Sequence, residues 1–165
     1  MTSSPTDIDR LVGELIEATG ARANRDLLRE IFGGALELAR GSTTRLDLKI
    51  VSSAISEMAE AFRMFEPFRS VPKFTMFGSA RTAPSDALYT QARELARRMS
   101  DAGWMVVTGA GPGIMAAGAE GAGRAMAIGV NIQLPFEQSP DPDAASDPKR
   151  VQMRYFFTRK LMLMK

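Results

Sequence analysis

The sequence predicts an α/β protein in which a Rossmann-like parallel sheet, incomplete at about four strands, follows an all-helical N-terminal extension. Three observations support this fold class. Apolar residues recur at helical spacing through the first part of the chain, strand and helix patterns alternate after Pro72, and a glycine-rich turn directly follows one strand. Such alternation is typical of βαβ units, which build parallel sheets. We therefore expect a helical extension over 1–70 and the N-terminal part of a Rossmann-like domain over 71–165.

Three helices are predicted in the extension, each followed by a glycine or a proline. They run over 7–19, 24–40 and 44–65. Glycine and proline commonly mark helix ends. The apolar stripes of the second and third helices are expected to pack into a core, or alternatively to cover part of the second domain or a subunit interface. Their residues are Leu27, Leu28, Ile31, Leu38, Ile50, Val51, Ile55, Met58 and Phe62.

The second half of the chain alternates between strand and helix patterns. Strands are predicted over 73–77, 104–108, 127–134 and 151–157, and the first is expected to be buried. Helices are predicted over 85–102, over 112–124 and from Thr158, which is a candidate cap. The stretch 137–147, rich in Pro, Asp and Ser, is predicted to be a loop.

The last predicted helix ends at Lys165, after about two turns, without a closing signal. A helix this short is marginal by itself, and four strands make a small doubly wound sheet. We therefore expect the natural polypeptide to continue beyond Lys165. A frayed C-terminal tail is the alternative.

Composition excludes several classes of function. With 45% hydrophobic and 24% charged residues, the 165-residue chain has the balance of a soluble globular protein. It contains no cysteine and no histidine, which excludes disulfides, thiolate nucleophiles, Ser-His-Asp triads and the usual zinc and haem sites. We expect no metal site and no cofactor. The net charge of +2 is spread along the chain, so no nucleic-acid partner is expected. A membrane-spanning run and a secretory signal are both missing, which predicts a cytoplasmic protein with no membrane partner.

The strongest local signal is the glycine turn after the second predicted strand, with Gly109, Gly111 and Gly113 followed by a helical pattern. Glycines let a backbone approach a phosphate closely, and the amides at the start of the next helix face it. Glycines after a strand also occur for steric reasons alone, which is the alternative. The pattern predicts a nucleotide-phosphate site.

A second small turn follows the first predicted strand and contains Gly78, Ser79 and Arg81. Neighbouring parallel strands place their C-terminal turns side by side, where such sheets bind ligands. Ser79 and Arg81 are therefore expected to flank the same crevice. For Ser79, a hydroxyl bonded to its own turn is the alternative.

A dinucleotide site is the second choice. Gly111, Gly113 and Ala116 match the G-x-G-x-x-G/A spacing, but this turn follows the second strand. A dinucleotide site also requires an acid about 20 residues further on, for the ribose hydroxyls. Gln133 occupies that place, and Glu137 lies beyond the predicted strand. An NAD(P)-dependent oxidoreductase is therefore disfavoured.

Four motifs occur together in the order known from one family: Phe77-Gly-Ser-Ala-Arg81, Thr108-Gly-Ala-Gly-Pro-Gly-Ile-Met115, Gly129-Val-Asn-Ile-Gln-Leu-Pro-Phe-Glu-Gln138 and Thr158-Arg-Lys160. Over 73–165 the chain resembles the LOG (Lonely Guy) family, and its third motif resembles the larger bacterial subgroup. The resemblance implies a phosphoribohydrolase, which cleaves the N-glycosidic bond of a nucleoside 5′-monophosphate such as AMP or a cytokinin ribotide. Free base and ribose 5-phosphate are the products.

The same resemblance assigns roles to residues. Arg159 takes the place of the family's catalytic arginine, and Lys160 completes the Arg-Lys pair. Met115, directly after the glycine turn, either contacts the base or packs on the turn. The family is usually dimeric or larger, so we expect a homodimer or a higher homo-oligomer.

One departure from the family pattern affects catalysis. The hallmark Pro-Gly-Gly-x-Gly-Thr-x-x-Glu, which supplies a second phosphate loop and the catalytic glutamate, is absent. Neither Glu120 nor Glu137 can be assigned that role. We expect the chain as given to be catalytically incomplete, and a non-catalytic nucleotide or cofactor carrier on the same fold is the alternative function.

Overall fold

The computed structural model describes residues 5–133 and 147–165, which form six α-helices and a four-stranded parallel sheet. The helices are α1 (Pro5–Ala18), α2 (Arg25–Arg40), α3 (Arg45–Phe65), α4 (Ala87–Asp101), α5 (Ile114–Met126) and α6 (Phe156–Leu163). The strands are β1 (Lys73–Met76), β2 (Met105–Thr108), β3 (Ala127–Ile132) and β4 (Arg150–Met153). The predicted fold class is confirmed. In the described ranges no helix is long and apolar enough to cross a membrane.

The chain divides into two compact units, 1–50 and 51–165, so α3 contributes to both. The domain boundary predicted between 70 and 71 stays a prediction. In the first unit α1 contacts α2, and the Arg25 guanidinium forms an ion pair of 2.7 Å with Glu17. Most of the predicted loop between 137 and 147 lies outside the described residues.

The apolar stripes of the extension are less buried than a core would require. Leu28, Leu38, Val51 and Met58 are half-buried. The exposed members of the stripes are Leu27, Ile31, Ile50, Ile55 and Phe62. Core packing is therefore wrong for these five, because helical spacing fixes which face is apolar but not whether another element covers it. The alternative, that the stripes cover part of the second domain or a subunit interface, stays a prediction.

The strands lie in the order β1-β2-β3-β4. β1 and β2 end together, with Met76 opposite Thr108, and Thr108 lies opposite Gly129. From Gly129, β3 continues to Ile132 alongside β4. The carboxyl ends of β3 and β4 therefore extend beyond those of β1 and β2. The edge of the sheet has a step at this point, next to β3 and beyond Thr108, the last residue of β2.

Both faces of the sheet are covered by helices. On one face Ala61 and Phe65 of α3 and Met162 and Leu163 of α6 form a core with alternate residues of the strands. Those strand residues are Met105, Val107, Ile128, Val130, Ile132, Val151 and Met153. On the other face Ala96 of α4 and Ala122 of α5 pack on Met76 and Val106. Successive side chains of β2 thus point to opposite faces of the sheet and pack into two separate cores.

The first strand differs from its prediction. β1 ends at Met76, is half-buried except at Met76, and leaves the next residue, Phe77, 60% exposed. The expected buried strand to Phe77 is wrong, because in the described sheet β1 has a neighbour on one side only. Burial of a strand depends on its place in the sheet, which the apolar run does not encode.

The end of the fourth strand is also corrected. β4 stops at Met153, and α6 begins at Phe156 with Tyr155 before it, so the predicted strand to Phe157 and the cap at Thr158 are both wrong. Aromatic residues favour strands, but here the helix start is fixed by hydrogen bonds. The Thr158 hydroxyl is buried in the first turn, 2.8 Å from the Tyr155 carbonyl oxygen and 2.9 Å from a Glu57 carboxylate oxygen.

Candidate functional site

The glycine turn lies between the end of β2 and the start of α5. Its first part is held by buried Thr108, whose hydroxyl accepts a hydrogen bond of 3.2 Å from the Ala110 amide. Ala110 has a positive φ of 54°, which a residue with a side chain rarely adopts. Gly113 ends the turn with a φ of 68°. The Thr108 hydrogen bond and the two positive φ angles therefore define the backbone conformation of this turn.

The turns after β1 and β2 contact each other directly. The Ile114 amide donates a hydrogen bond of 3.0 Å to the Ser79 carbonyl oxygen. A Cβ atom on Gly113 would lie 2.2 Å from that same oxygen, which leaves room for glycine only. The parallel order of the strands places the two turns side by side, as we expected, and backbone contact joins them.

Met115 packs on the glycine turn. A Cβ atom on Gly111 would lie 2.6 Å from the Met115 Cε atom, and one on Gly109 would lie 2.9 Å from its Sδ atom. In the same way, Ile114 covers Gly78 in the first turn. The packing alternative for Met115 is therefore what the structure shows, and contact of Met115 with a base stays a prediction.

Backbone amides are available where the turn meets α5. Among the described residues, the amides of Gly113, Met115 and Ala116 have no hydrogen-bond acceptor, whereas the Ala117 amide bonds to the Gly113 carbonyl oxygen at 3.0 Å. Unpaired amides at a helix start, together with the helix dipole, favour an anion. The Ser79 carbonyl oxygen already accepts a hydrogen bond from the Ile114 amide, so an anion would bind to the amides of Gly113, Met115 and Ala116.

Arg159 lies at the step in the sheet. Its Nε donates to the Val130 carbonyl oxygen and its Nη2 to the Gly109 carbonyl oxygen, each at 2.9 Å. The Val130 carbonyl points towards β2, but β2 has already ended at Thr108, so the guanidinium replaces the missing strand partner. Burial lowers the pKa of Arg159 from its usual value, yet an arginine stays charged at neutral pH.

This geometry leaves Arg159 able to bind an anion. A guanidinium has five N–H groups and the two carbonyls take two of them, so the others can turn to a phosphate beside the glycine turn. A Cβ atom on Gly109 would collide with the Arg159 Nη2 atom. The guanidinium therefore occupies the space that a side chain at position 109 would need, so Arg159 can lie here only because residue 109 is glycine.

Three predicted site residues, Ser79, Arg81 and Lys160, are held by local contacts or are exposed. The Ser79 hydroxyl accepts a hydrogen bond of 3.1 Å from the Arg81 amide, which is the local alternative expected for it. The Arg81 side chain is exposed. Lys160 is also exposed and, with Arg159, lines an open cavity of about 370 Å³ between Phe77 and Phe156. Phosphate binding by Arg81 and Lys160 stays a prediction.

The structure assigns no catalytic carboxylate. Glu120 is exposed and accepts a hydrogen bond of 2.5 Å from the Tyr89 hydroxyl, which raises the pKa of Tyr89. Glu137 lies outside the described residues. Gln133 follows the end of β3, where a dinucleotide site would carry its acid. In residues 5–133 and 147–165, no group of three acidic side chains is placed to hold a metal ion.

Sequence reasoning missed Glu57, a buried carboxylate in α3 whose side chain meets the start of α6. A signal was present in the sequence. Glu57 lies on the same helical stripe as Ala54, Ala61 and Phe65, which are all buried. An acid within an apolar stripe indicates a buried charge with a specific partner.

Comparison with known proteins agrees with the strand-turn-helix geometry. Residues 72–148 match the model of the SLOG cluster4 family. This part of the chain is similar to SLOG domains. A SLOG domain on a Rossmann-like fold indicates a nucleotide-related function. The resemblance to the LOG family is consistent with this result, and the larger bacterial subgroup stays a prediction.

The matched stretch covers β1, β2 and β3 with both glycine-containing turns. It ends before Arg159 and Lys160, so their roles depend on geometry and on the LOG resemblance. A search of curated proteins finds no match.

Proposed function

We propose that the protein is a nucleoside 5′-monophosphate phosphoribohydrolase whose SLOG domain binds the phosphate on the glycine turn. The observation that carries this proposal is the Arg159 guanidinium, held 2.9 Å from the Gly109 carbonyl oxygen beside the start of α5. Amides of a helix start and a fixed arginine together form an anion site of the kind a phosphate monoester requires.

The proposed reaction is hydrolysis at C1′ of the ribose. The C1′–N bond breaks and the base leaves with its electron pair. A water oxygen bonds to C1′ and loses one proton, which balances the proton that the base takes up. Positive charge develops on the sugar as the base departs, so a carboxylate is needed to stabilise it and to position the water. Arg159 and the glycine turn would hold the phosphate so that C1′ is presented correctly.

A nucleotide carrier is the second candidate, and one observation favours it. Two carboxylates, Glu120 and Asp147, line a cavity with Thr108 and Ala110, and both are already engaged. Glu120 accepts a hydrogen bond of 2.5 Å from the Tyr89 hydroxyl, and Asp147 accepts bonds from the backbone amide and the side chain of Lys149. The family's catalytic glutamate belongs to the motif that this sequence lacks. Binding and hydrolysis therefore have to be measured separately.

The test compares AMP, ribose 5-phosphate and adenosine as ligands of the full chain by isothermal titration calorimetry. We expect AMP to bind at least about tenfold more tightly than adenosine, since charge-assisted bonds to the phosphate dominate. Ribose 5-phosphate should compete with AMP. Equal affinity for AMP and adenosine would contradict the phosphate site.

Hydrolysis is followed in parallel as release of adenine and ribose 5-phosphate from AMP. Release that follows enzyme concentration would support the hydrolase. Tight AMP binding without release from this chain would favour the carrier, and tighter binding of NAD than of AMP would restore the oxidoreductase alternative.

Self-association is part of the proposal, because α2 exposes apolar residues. Leu27 and Ile31, one helical turn apart, are 52% and 57% exposed. Contacts between such residues of two copies would remove them from water. Ile31→Glu is expected to weaken self-association at least about tenfold in sedimentation equilibrium, because the contact would bury an unpaired charge. Ile31→Leu is the control that keeps an apolar side chain, and a wild-type chain that stays monomeric would contradict this part of the proposal.

A further inference from the structure

The carboxylate of Glu57 joins α3 to the first turn of α6, across 101 positions of sequence. The side chain is 6% exposed. Its Oε2 atom lies 2.9 Å from the Thr158 hydroxyl oxygen and accepts a longer hydrogen bond of 3.4 Å from the Tyr155 amide. A negative charge at the start of a helix is favoured by the helix dipole. Glu57 therefore links the start of α6 to α3 through two hydrogen bonds.

The second carboxylate oxygen of Glu57 does not contact α6 through a hydrogen bond. Its Oε1 atom is buried without a hydrogen-bond partner among the described residues. An unpaired buried oxygen of this kind opposes folding. An apolar residue at this position would avoid that cost, so stability alone does not account for a carboxylate here.

Arg159 directly follows Thr158 in α6. Side-chain hydrogen bonds from other elements hold this helix both before and after Arg159. At the helix start Glu57 meets Thr158, which is fully buried. At the helix end the Thr75 hydroxyl donates a hydrogen bond of 2.8 Å to the Leu163 carbonyl oxygen. From this first turn the Arg159 side chain extends to the carbonyl oxygens of Val130 and Gly109.

We propose that Glu57 is a positioning residue for Arg159, and that it acts by fixing the first turn of α6 through Thr158 and Tyr155. The consequence for nucleotide binding rests on the proposed function. The effect on the placement of the guanidinium does not, and it can be measured without any nucleotide.

The first experiment reads the Arg159 Nε–H group by NMR in the full chain without ligand. Its signal is assigned by its absence in Arg159→Lys. Glu57→Gln keeps the size of the side chain but removes its charge and puts an NH2 group in the buried place of the unpaired Oε1 atom. We expect this to loosen the first turn of α6, to move the Arg159 signal and to speed its hydrogen exchange at least about tenfold, since the bond to Val130 opens more often. Glu60→Gln, an exposed glutamate on the same helix, is the control and should leave the signal unchanged.

Two further variants keep this test decisive if Glu57→Gln folds poorly. Thr158→Ser retains the hydroxyl and should preserve the Arg159 signal, whereas Thr158→Val removes it and should reproduce the effect of Glu57→Gln. An unchanged signal in folded Glu57→Gln, or an equal change in Glu60→Gln, would overturn the inference.

The second experiment measures AMP affinity in a double-mutant cycle. Glu57→Gln is expected to weaken AMP binding about fivefold in the wild-type background and less than about twofold in Arg159→Ala, because coupled residues are not additive. An equal loss in both backgrounds would overturn the inference, since Glu57 would then act without Arg159. A wild-type chain that binds no AMP would overturn the proposed function, while the NMR signal would still decide the role of Glu57.

Discussion

Arg159→Ala is expected to weaken AMP binding about 100-fold, which corresponds to about 2.7 kcal/mol. Two effects combine in this loss. The phosphate loses its charge-assisted bonds to the guanidinium. The carbonyl oxygens of Val130 and Gly109 also lose their donor, so the glycine turn is held less firmly next to β3.

Two comparisons separate these contributions in calorimetric titrations with AMP. Arg159→Lys keeps a positive charge but cannot hold both carbonyls in a planar fork, so an intermediate loss of about tenfold is expected. Arg154→Ala removes an exposed arginine near the start of α6 and should change the affinity less than about twofold. An Arg159→Ala variant with wild-type affinity would exclude Arg159 from the phosphate site.

Gly113→Ala is expected to destabilise the protein by about 3 to 5 kcal/mol and to abolish AMP binding. The φ of 68° at this position disfavours any side chain. In addition, the new Cβ atom would lie 2.2 Å from the Ser79 carbonyl oxygen and 2.8 Å from the Ala80 carbonyl carbon. Both contacts are with backbone, so a change of rotamer cannot relieve them, and the two turns would have to separate.

Gly123→Ala is the matched control, because Gly123 has nearly the same φ of 72° and an added Cβ would have no atom within 4 Å apart from its chain neighbours and the backbone of its own helix. It should cost only the conformational strain, about 1 to 3 kcal/mol, because the ψ of 161° at Gly123 also belongs to a region that glycine alone adopts readily. Urea unfolding of the two variants at one temperature measures the difference, which is the cost of separating the turns. Equal destabilisation by both substitutions would show that contact between the turns contributes nothing.

The amino-acid sequence by itself determined the fold class and the location of the glycine turn. Strand and helix periods, and glycines that follow a strand, are local properties of the chain, so βαβ alternation after Pro72 and the turn at Gly109–Gly113 could be predicted without a structure. The resemblance to the LOG family directed attention to Arg159, which has no local signal of its own.

The tertiary structure decided everything that depends on residues far apart in the chain. β1 is a half-buried edge strand in the described sheet because strand order is a property of the whole sheet. α6 starts at Phe156, rather than at Thr158, where Glu57 of a distant helix accepts a hydrogen bond from Thr158, although an aromatic run by itself favours a strand there. Arg159 reaches the glycine turn because β3 extends past the end of β2 and leaves the Val130 carbonyl without a strand partner. Local patterns set which segments form, whereas long-range hydrogen bonds and packing set where each side chain lies.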